Sequence, residues 1–175
     1  MKLQFWSFDV IFAMVIFGFA ITILAFVWYS ISNQFSLSYG YGVGSMQMQA
    51  QALANKLLTP GAPSSWYSII NMSNPSTWAN VSIGLLGGSG QVSLEKIATL
   101  ESMANTNYQA TKQAVGVGYD YYIILNYQGM KFGIGLNPYV GNAMSIYVVS
   151  KPIIINNVPA TMQIMVWTNT SFGVA

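Results

Sequence analysis

The sequence predicts an α+β fold: a long N-terminal hydrophobic helix, transmembrane or filament-core, followed by a small head with an antiparallel β-sheet and one or two short helices. Three observations lead there. Val10–Tyr29 reads VIFAMVIFGFAITILAFVWY without a charge, about the twenty residues an α-helix needs to cross a bilayer's hydrocarbon core. After Gly116-Val117-Gly118 the apolar period changes to two, and the breaks at Gln128-Gly129-Met130 and Asn156-Asn157 divide the run into two hairpins. Between these regions, helical spacing recurs only in short stretches.

The chain divides accordingly into 1–35, the hydrophobic helix with a short basic leader; 36–59, a glycine hinge with an amphipathic helical stretch; and 60–175, the β-rich head. The apolar run is too long for a usual signal-peptide core, and Ser30–Gln34 lacks a compact small-residue cleavage site, so it is expected to be retained. Lys2 before the run, with Trp6 on one flank and Trp28 and Tyr29 on the other, predicts the N-terminus inside and the head outside. Asp9 is the one charge bordering the run. One reading places it in the helix's first turn, where a carboxylate meets free N–H groups and the positive end of the macrodipole. The other makes it an assembly residue, paired with a positive group on a neighbouring subunit.

Tyr39-Gly40-Tyr41-Gly42-Val43-Gly44 alternates three glycines, each costing a helix about 1 kcal/mol relative to alanine. A hinge, kink or locally melted segment is expected there. Met46, Ala50, Leu53 and Leu57 then share one helical face, predicting a helix over Ser45–Leu58 that ends at Thr59-Pro60-Gly61. Residues 60–80 read as a long ordered loop and Val81–Leu86 as a short strand. Gly87-Gly88-Ser89-Gly90 reads as a turn, because neither a lysine-threonine pair nor the dinucleotide spacing accompanies it. Ser93 is the expected cap of a short helix carrying Glu95, Lys96, Ile97 and Leu100, and a second short helix is expected over Tyr108–Val115. The hairpin strands are Tyr119–Tyr127 with Lys131–Leu136, and Ser145–Ile155 with Ala160–Thr168; Pro152 argues for an edge.

Composition excludes much. The basic residues are Lys2, Lys56, Lys96, Lys112, Lys131 and Lys151, the acids only Asp9, Glu95, Glu101 and Asp120, and histidine and cysteine are absent. The usual general base near neutral pH, thiolate nucleophiles and zinc sites are therefore missing, and scattered lysines make no nucleic-acid stripe. The expectation is a protein that is not an enzyme, with no cofactor, no metal and no nucleic-acid partner. Asn71-Met72-Ser73, Asn80-Val81-Ser82 and Asn169-Thr170-Ser171 are glycosylation acceptors by pattern, on the expected outside, whereas Pro75 excludes Asn74. Such triplets also arise by chance in an Asn- and Ser-rich chain.

The start Gln4-Phe5-Trp6-Ser7-Phe8-Asp9-Val10-Ile11-Phe12-Ala13, the segment Leu57-Leu58-Thr59-Pro60-Gly61-Ala62-Pro63-Ser64-Ser65-Trp66, Ser93-Leu94-Glu95-Lys96 and Gly118-Tyr119-Asp120-Tyr121-Tyr122, in that order, resemble archaeal type IV pilin-like membrane proteins. The resemblance implies a subunit, major or minor, of a cell-surface filament with an extracellular head presented for adhesion or contact. Implied partners are identical or related pilin subunits in a helical homopolymer, the membrane before assembly, a prepilin peptidase and the pilus assembly machinery. The peptidase would cut just before Gln4, and here Leu3 stands where glycine or alanine is expected. The alternative is a single-pass, membrane-anchored surface protein whose head binds a ligand or partner.

Overall fold

The computed structural model describes residues 4–170, with side chains described for all of these except 4–7 and 31–41. Helix α1 spans Gln4–Leu57, α2 Trp66–Ile69, α3 Leu94–Thr106 and α4 Tyr108–Val115, with a 3-10 turn at Pro75–Asn80. Strands β1 (Asp120–Tyr127), β2 (Met130–Gly135), β3 (Ser145–Ile155) and β4 (Val158–Thr168) form one four-stranded antiparallel sheet in the order β2-β1-β4-β3. The fold is α+β, with two compact units that meet in sequence between Gly42 and Val43.

Backbone through Gly40, Gly42 and Gly44 is helical, which corrects the expected local melting. The reason is cooperativity: each glycine costs about 1 kcal/mol, but helix on both sides removes the nucleation cost. The unit boundary nevertheless falls inside this glycine stretch. The expected second helix is thus the last part of α1.

In the unit 43–174, that part of α1 is a core element. Met46, Ala50, Leu53, Ala54 and Leu57 are buried in one cluster with Trp66, Trp78, Ile83, Leu85, Leu100 and Met103, and with the inward residues of the sheet, Tyr121, Ile123, Leu125, Ile134, Val149, Ile153, Met162, Ile164 and Val166. Polar contacts fix its register. Ser45 Oγ and Tyr119 Oη share a hydrogen bond of 2.6 Å, Gly118 N donates to Gln49 Oε1 at 2.8 Å, and Lys56 Nζ donates to Ala114 O and Val115 O, both at 3.0 Å. The lysine thereby satisfies carbonyls at the C-terminus of α4, the negative end of its dipole.

Both hairpins form with two-residue turns. Gln128 and Gly129, and Asn156 and Asn157, all have positive φ, as a turn matching the right-handed strand twist requires. The first break is one residue shorter than expected, because Met130 joins β2. Pro152 lies in the edge strand β3, where its missing N–H removes no bond from a central ladder.

Three expectations between the helix and the sheet need correction. Residues 60–80 contain α2 and the 3-10 turn, seeded by Trp66 and Trp78, whose indole N–H groups donate to Gly84 O (2.8 Å) and Asn71 O (2.9 Å). Val81–Leu86 is not a strand: it has isolated bridges, Ala62 with Ser82 and Leu86 with Val92, and separate backbone bonds from Leu85 N to Leu57 O and from Leu86 N to Thr59 O, but no continuous ladder. A side chain at Gly84 would collide with the Thr59 carbonyl, so the chains approach more closely there than a ladder with side chains permits. Ser93 is the N-cap of α3 by position, yet its side chain makes no capping bond. Helix α4 has the expected bounds, capped by Asn107, which accepts from Ala110 N, and closed by left-handed Gly116 (φ 79).

Among the described residues, Tyr121 Oη is a buried polar group without a protein partner, at 0% exposure, and its burial raises the phenol's pKa. Tyr108 is raised too, first by burial, and its hydroxyl donates to Asp120 Oδ1 at 3.1 Å while accepting from Tyr121 N at 3.0 Å. Tyrosines whose folded pKa is raised contribute stability that is fully present below the unfolded value of about 10 and is lost as pH rises beyond it. We therefore expect Tyr121→Phe to gain about 1 kcal/mol in denaturant melts at pH 7, since it removes an unmatched hydroxyl without opening a cavity. The variant's stability should also fall less steeply than wild type above about pH 10. A loss of more than about 1 kcal/mol at pH 7 would mean the hydroxyl has a partner.

Candidate functional site

The segment Phe8–Ser30 of α1, 23 residues with mean hydropathy 2.9, is long and apolar enough to cross a membrane, by length and composition; a signal sequence meets the same criteria. None of it is buried. Phe12, Ile16, Phe19, Leu24, Phe26 and Trp28 all have more than half of their surface open, up to 73% at Trp28. Each large side chain of this kind gains roughly 1.5–3 kcal/mol when removed from water, so the segment demands an apolar surrounding. Its polar side chain Thr22 is satisfied within the helix, donating to Gly18 O at 2.8 Å. Gly18 has open space beside it, and around Ala25 the side chains of Ile21, Leu24, Trp28 and Tyr29 frame an open notch of about 820 Å³. The surface is therefore uneven, as an element that interlocks with another helix requires.

Asp9 lies on this helix, exposed, and the first turn of α1 contains no acid. The first-turn reading is thereby corrected. With α1 starting at Gln4, the N–H groups near Asp9 belong to the intrahelical ladder, so the carboxylate has no capping duty. Among the described residues, the ion pair is Lys112 with Asp120 at 2.8 Å, and none involves Asp9. Lys2, the leader and the expected cleavage before Gln4 lie outside the described residues.

The three acceptor asparagines Asn71, Asn80 and Asn169 are exposed and scattered over the head rather than gathered. Asn71 Oδ1 accepts from Ser73 N at 2.9 Å, a turn that keeps the triplet at the surface, while its carbonyl holds the Trp78 indole. Asn80 ends the 3-10 turn, Asn169 follows β4, and Ser171 of its triplet is outside the described residues.

Sequence reasoning passed over the lysines of the head. Lys96 falls in the first turn of α3, as its spacing from Ser93 predicts, and is only 3% exposed. Its ammonium donates to Pro60 O at 2.7 Å and Leu86 O at 2.6 Å and stands 5.9 Å from the centre of the Tyr67 ring. Burial lowers its pKa, as it does for Lys56. No signal in the linear sequence marks this convergence, because Pro60 and Leu86 lie 36 and 10 residues from Lys96. In the Gly87–Gly90 stretch, Gly87 N donates to Gln91 O and Gly90 N to Gly87 O, so these amides close a turn and do not cradle a phosphate.

For metal or acid–base chemistry the arrangement offers little. Among the described residues no three of His, Cys, Asp and Glu gather into a group that would hold a metal. Asp120 is engaged by Lys112 and Tyr108 in a half-buried network that joins α4 to β1. The uncovered apolar helix is thus the feature of the chain that most needs a partner, and comparison with protein-family models, with curated proteins and with solved structures gives no match to this chain.

Proposed function

We propose that this chain is a structural subunit of a cell-surface filament of the archaeal type IV pilus kind, assembled through its N-terminal hydrophobic helix and presenting its head for adhesion or contact. The observation that carries the reading is Phe8–Ser30, a 23-residue span of mean hydropathy 2.9 with none of it buried, in a chain whose head encloses its own core. In the membrane before assembly, lipid covers this helix; in the filament, neighbouring helices do. Side-chain packing and the exclusion of water supply the cohesion.

On this reading the N-terminus starts inside and the head outside, where exposed Asn71, Asn80 and Asn169 are open to glycosylation. Asp9 sets assembly order: an acid on an otherwise apolar helix costs a few kcal/mol when desolvated unless a neighbour's amine or lysine meets it. The second reading, a permanently anchored surface protein, is favoured by the same apolar segment if the leader is kept.

Electron microscopy and mass spectrometry of material sheared from cells test the proposal together. Filaments containing this chain, beginning at Gln4, are the expected outcome. A chain found only in membranes and beginning at Met1 would favour the anchored reading. Protease added to intact cells should remove the head and spare the N-terminal segment; protection of the entire head would reverse the orientation.

Asp9→Asn separates the roles of the carboxylate. It should insert at wild-type levels yet give few or irregular filaments, because asparagine removes the charge at nearly constant shape. Filaments of normal number and length would remove Asp9 from the assembly role.

A further inference from the structure

Between α2 and the N-terminal end of α3 lies an open cleft of about 540 Å³, within the range of small-molecule sites. Its wall combines an aromatic ring, Tyr67, with the hydroxyls of Ser64, Ser65 and Ser93 and with the buried Lys96. Two features make its electrostatics unusual. Lys96 is 3% exposed and, among the described residues, no carboxylate lies within ion-pair distance of it. Buried charges are ordinarily paired, and two neutral carbonyls satisfy two of the three ammonium donors without neutralising the charge. The wall also includes Ser93, the N-cap of the 13-residue helix α3, whose side chain makes no capping bond, so the positive end of the helix dipole and a free-standing hydroxyl open on the same space.

Lys56 provides the contrast that separates a fastener from a site. It also donates to two carbonyls, Ala114 O and Val115 O, but those end a helix whose negative dipole complements the ammonium, and Lys56 is not part of this cleft's wall. Lys96 has a positive helix end beside it instead. The neighbouring acid Glu95 is exposed and is not part of the cleft wall.

We infer that this cleft binds a carboxylate-bearing sugar, its acid group meeting Lys96 and the first turn of α3, its ring lying against Tyr67 and its hydroxyls meeting Ser64, Ser65 and Ser93. A single ammonium with one donor to spare suits a monoanion better than a phosphate, for which the site offers no arginine fork. An aromatic face ringed by short hydroxyls suits the apolar face and polar rim of a pyranose. The inference does not depend on filament assembly.

The test is titration calorimetry on the full chain in detergent micelles at pH 7, with glucuronic acid, glucose and inorganic phosphate as separate probes. Glucuronic acid should bind saturably and glucose at least about tenfold more weakly, the worth of one charge-assisted hydrogen bond. Tyr67→Ala and Ser93→Ala should each weaken glucuronate binding by several-fold while the melting temperature stays within a few degrees, and Lys96→Met should abolish it. If Lys96→Met does not fold, the glucose comparison and the two other variants decide. Absence of saturable glucuronate binding, phosphate binding as tightly as glucuronate, or binding unaltered in both Tyr67→Ala and Ser93→Ala would overturn the inference.

Discussion

An apolar helix segment that stays exposed among the described residues sets the terms for the rest of this protein. Phe8–Ser30 contributes no buried residue, so the head has to reach a stable core without it. The head does so by taking a stretch from the end of the same helix. Past the glycines, the large aromatics give way to Met46, Ala50, Leu53, Ala54 and Leu57, spaced on one helical face and buried. A single helix thus changes surroundings along its length, from an exposed apolar stretch to the buried core of the head, and its residue sizes change with it.

The head's polar closure follows from its composition. Without cysteine there is no covalent staple, and without histidine no side chain whose ordinary pKa lies near neutrality. Long lysine side chains take over part of that duty. Lys56 ties α1 to the end of α4, Lys96 ties α3 to the loops at Pro60 and Leu86, and Lys112 ties α4 to Asp120 at the start of β1. Two of the three act on carbonyls rather than acids, which suits a chain with four carboxylates. The half-buried Lys112–Asp120 pair is held in place by Tyr108, whose hydroxyl donates to the same Asp120 oxygen.

Legibility in the sequence tracked how local each determinant is. The apolar run, the hairpins with turns at Gln128-Gly129 and Asn156-Asn157, the edge position of Pro152 and helix α4 all depend on residues a few positions apart, and their patterns were readable. The helical backbone through Gly40–Gly44 was not, because propensity counts the glycines and not the helix already formed on either side. Helix α2 and the 3-10 turn depend on Trp66 and Trp78 finding carbonyls at Gly84 and Asn71, contacts that periodicity does not encode. The burial of Lys96 was not legible for the same reason: the first-turn position was readable, but the convergence of the Pro60 and Leu86 carbonyls on it was not. The cleft beside it combines residues from 60 to 96 and had no signature in the linear chain.

The edges of the sheet bear on how copies of this chain can associate. Both edge strands carry devices that oppose strand addition. β2 is short, six residues with exposed Lys131, and β3 has the half-buried Lys151 followed by Pro152, which lacks a donor. Burying Lys151 against an incoming strand would strip water from its ammonium, and Pro152 would leave a gap in the new ladder. The head is therefore a poor template for edge-to-edge growth, and polymerisation through it by β-pairing is disfavoured. The helix has no such guard: its backbone is internally bonded, so only side chains need partners, and an uneven apolar surface can meet a different part of the same surface on the next copy. Such unlike contacts extend into open filaments wherever the rotation from copy to copy does not close a ring, so the division of labour between a guarded head and an unguarded helix is compatible with the proposed structural role.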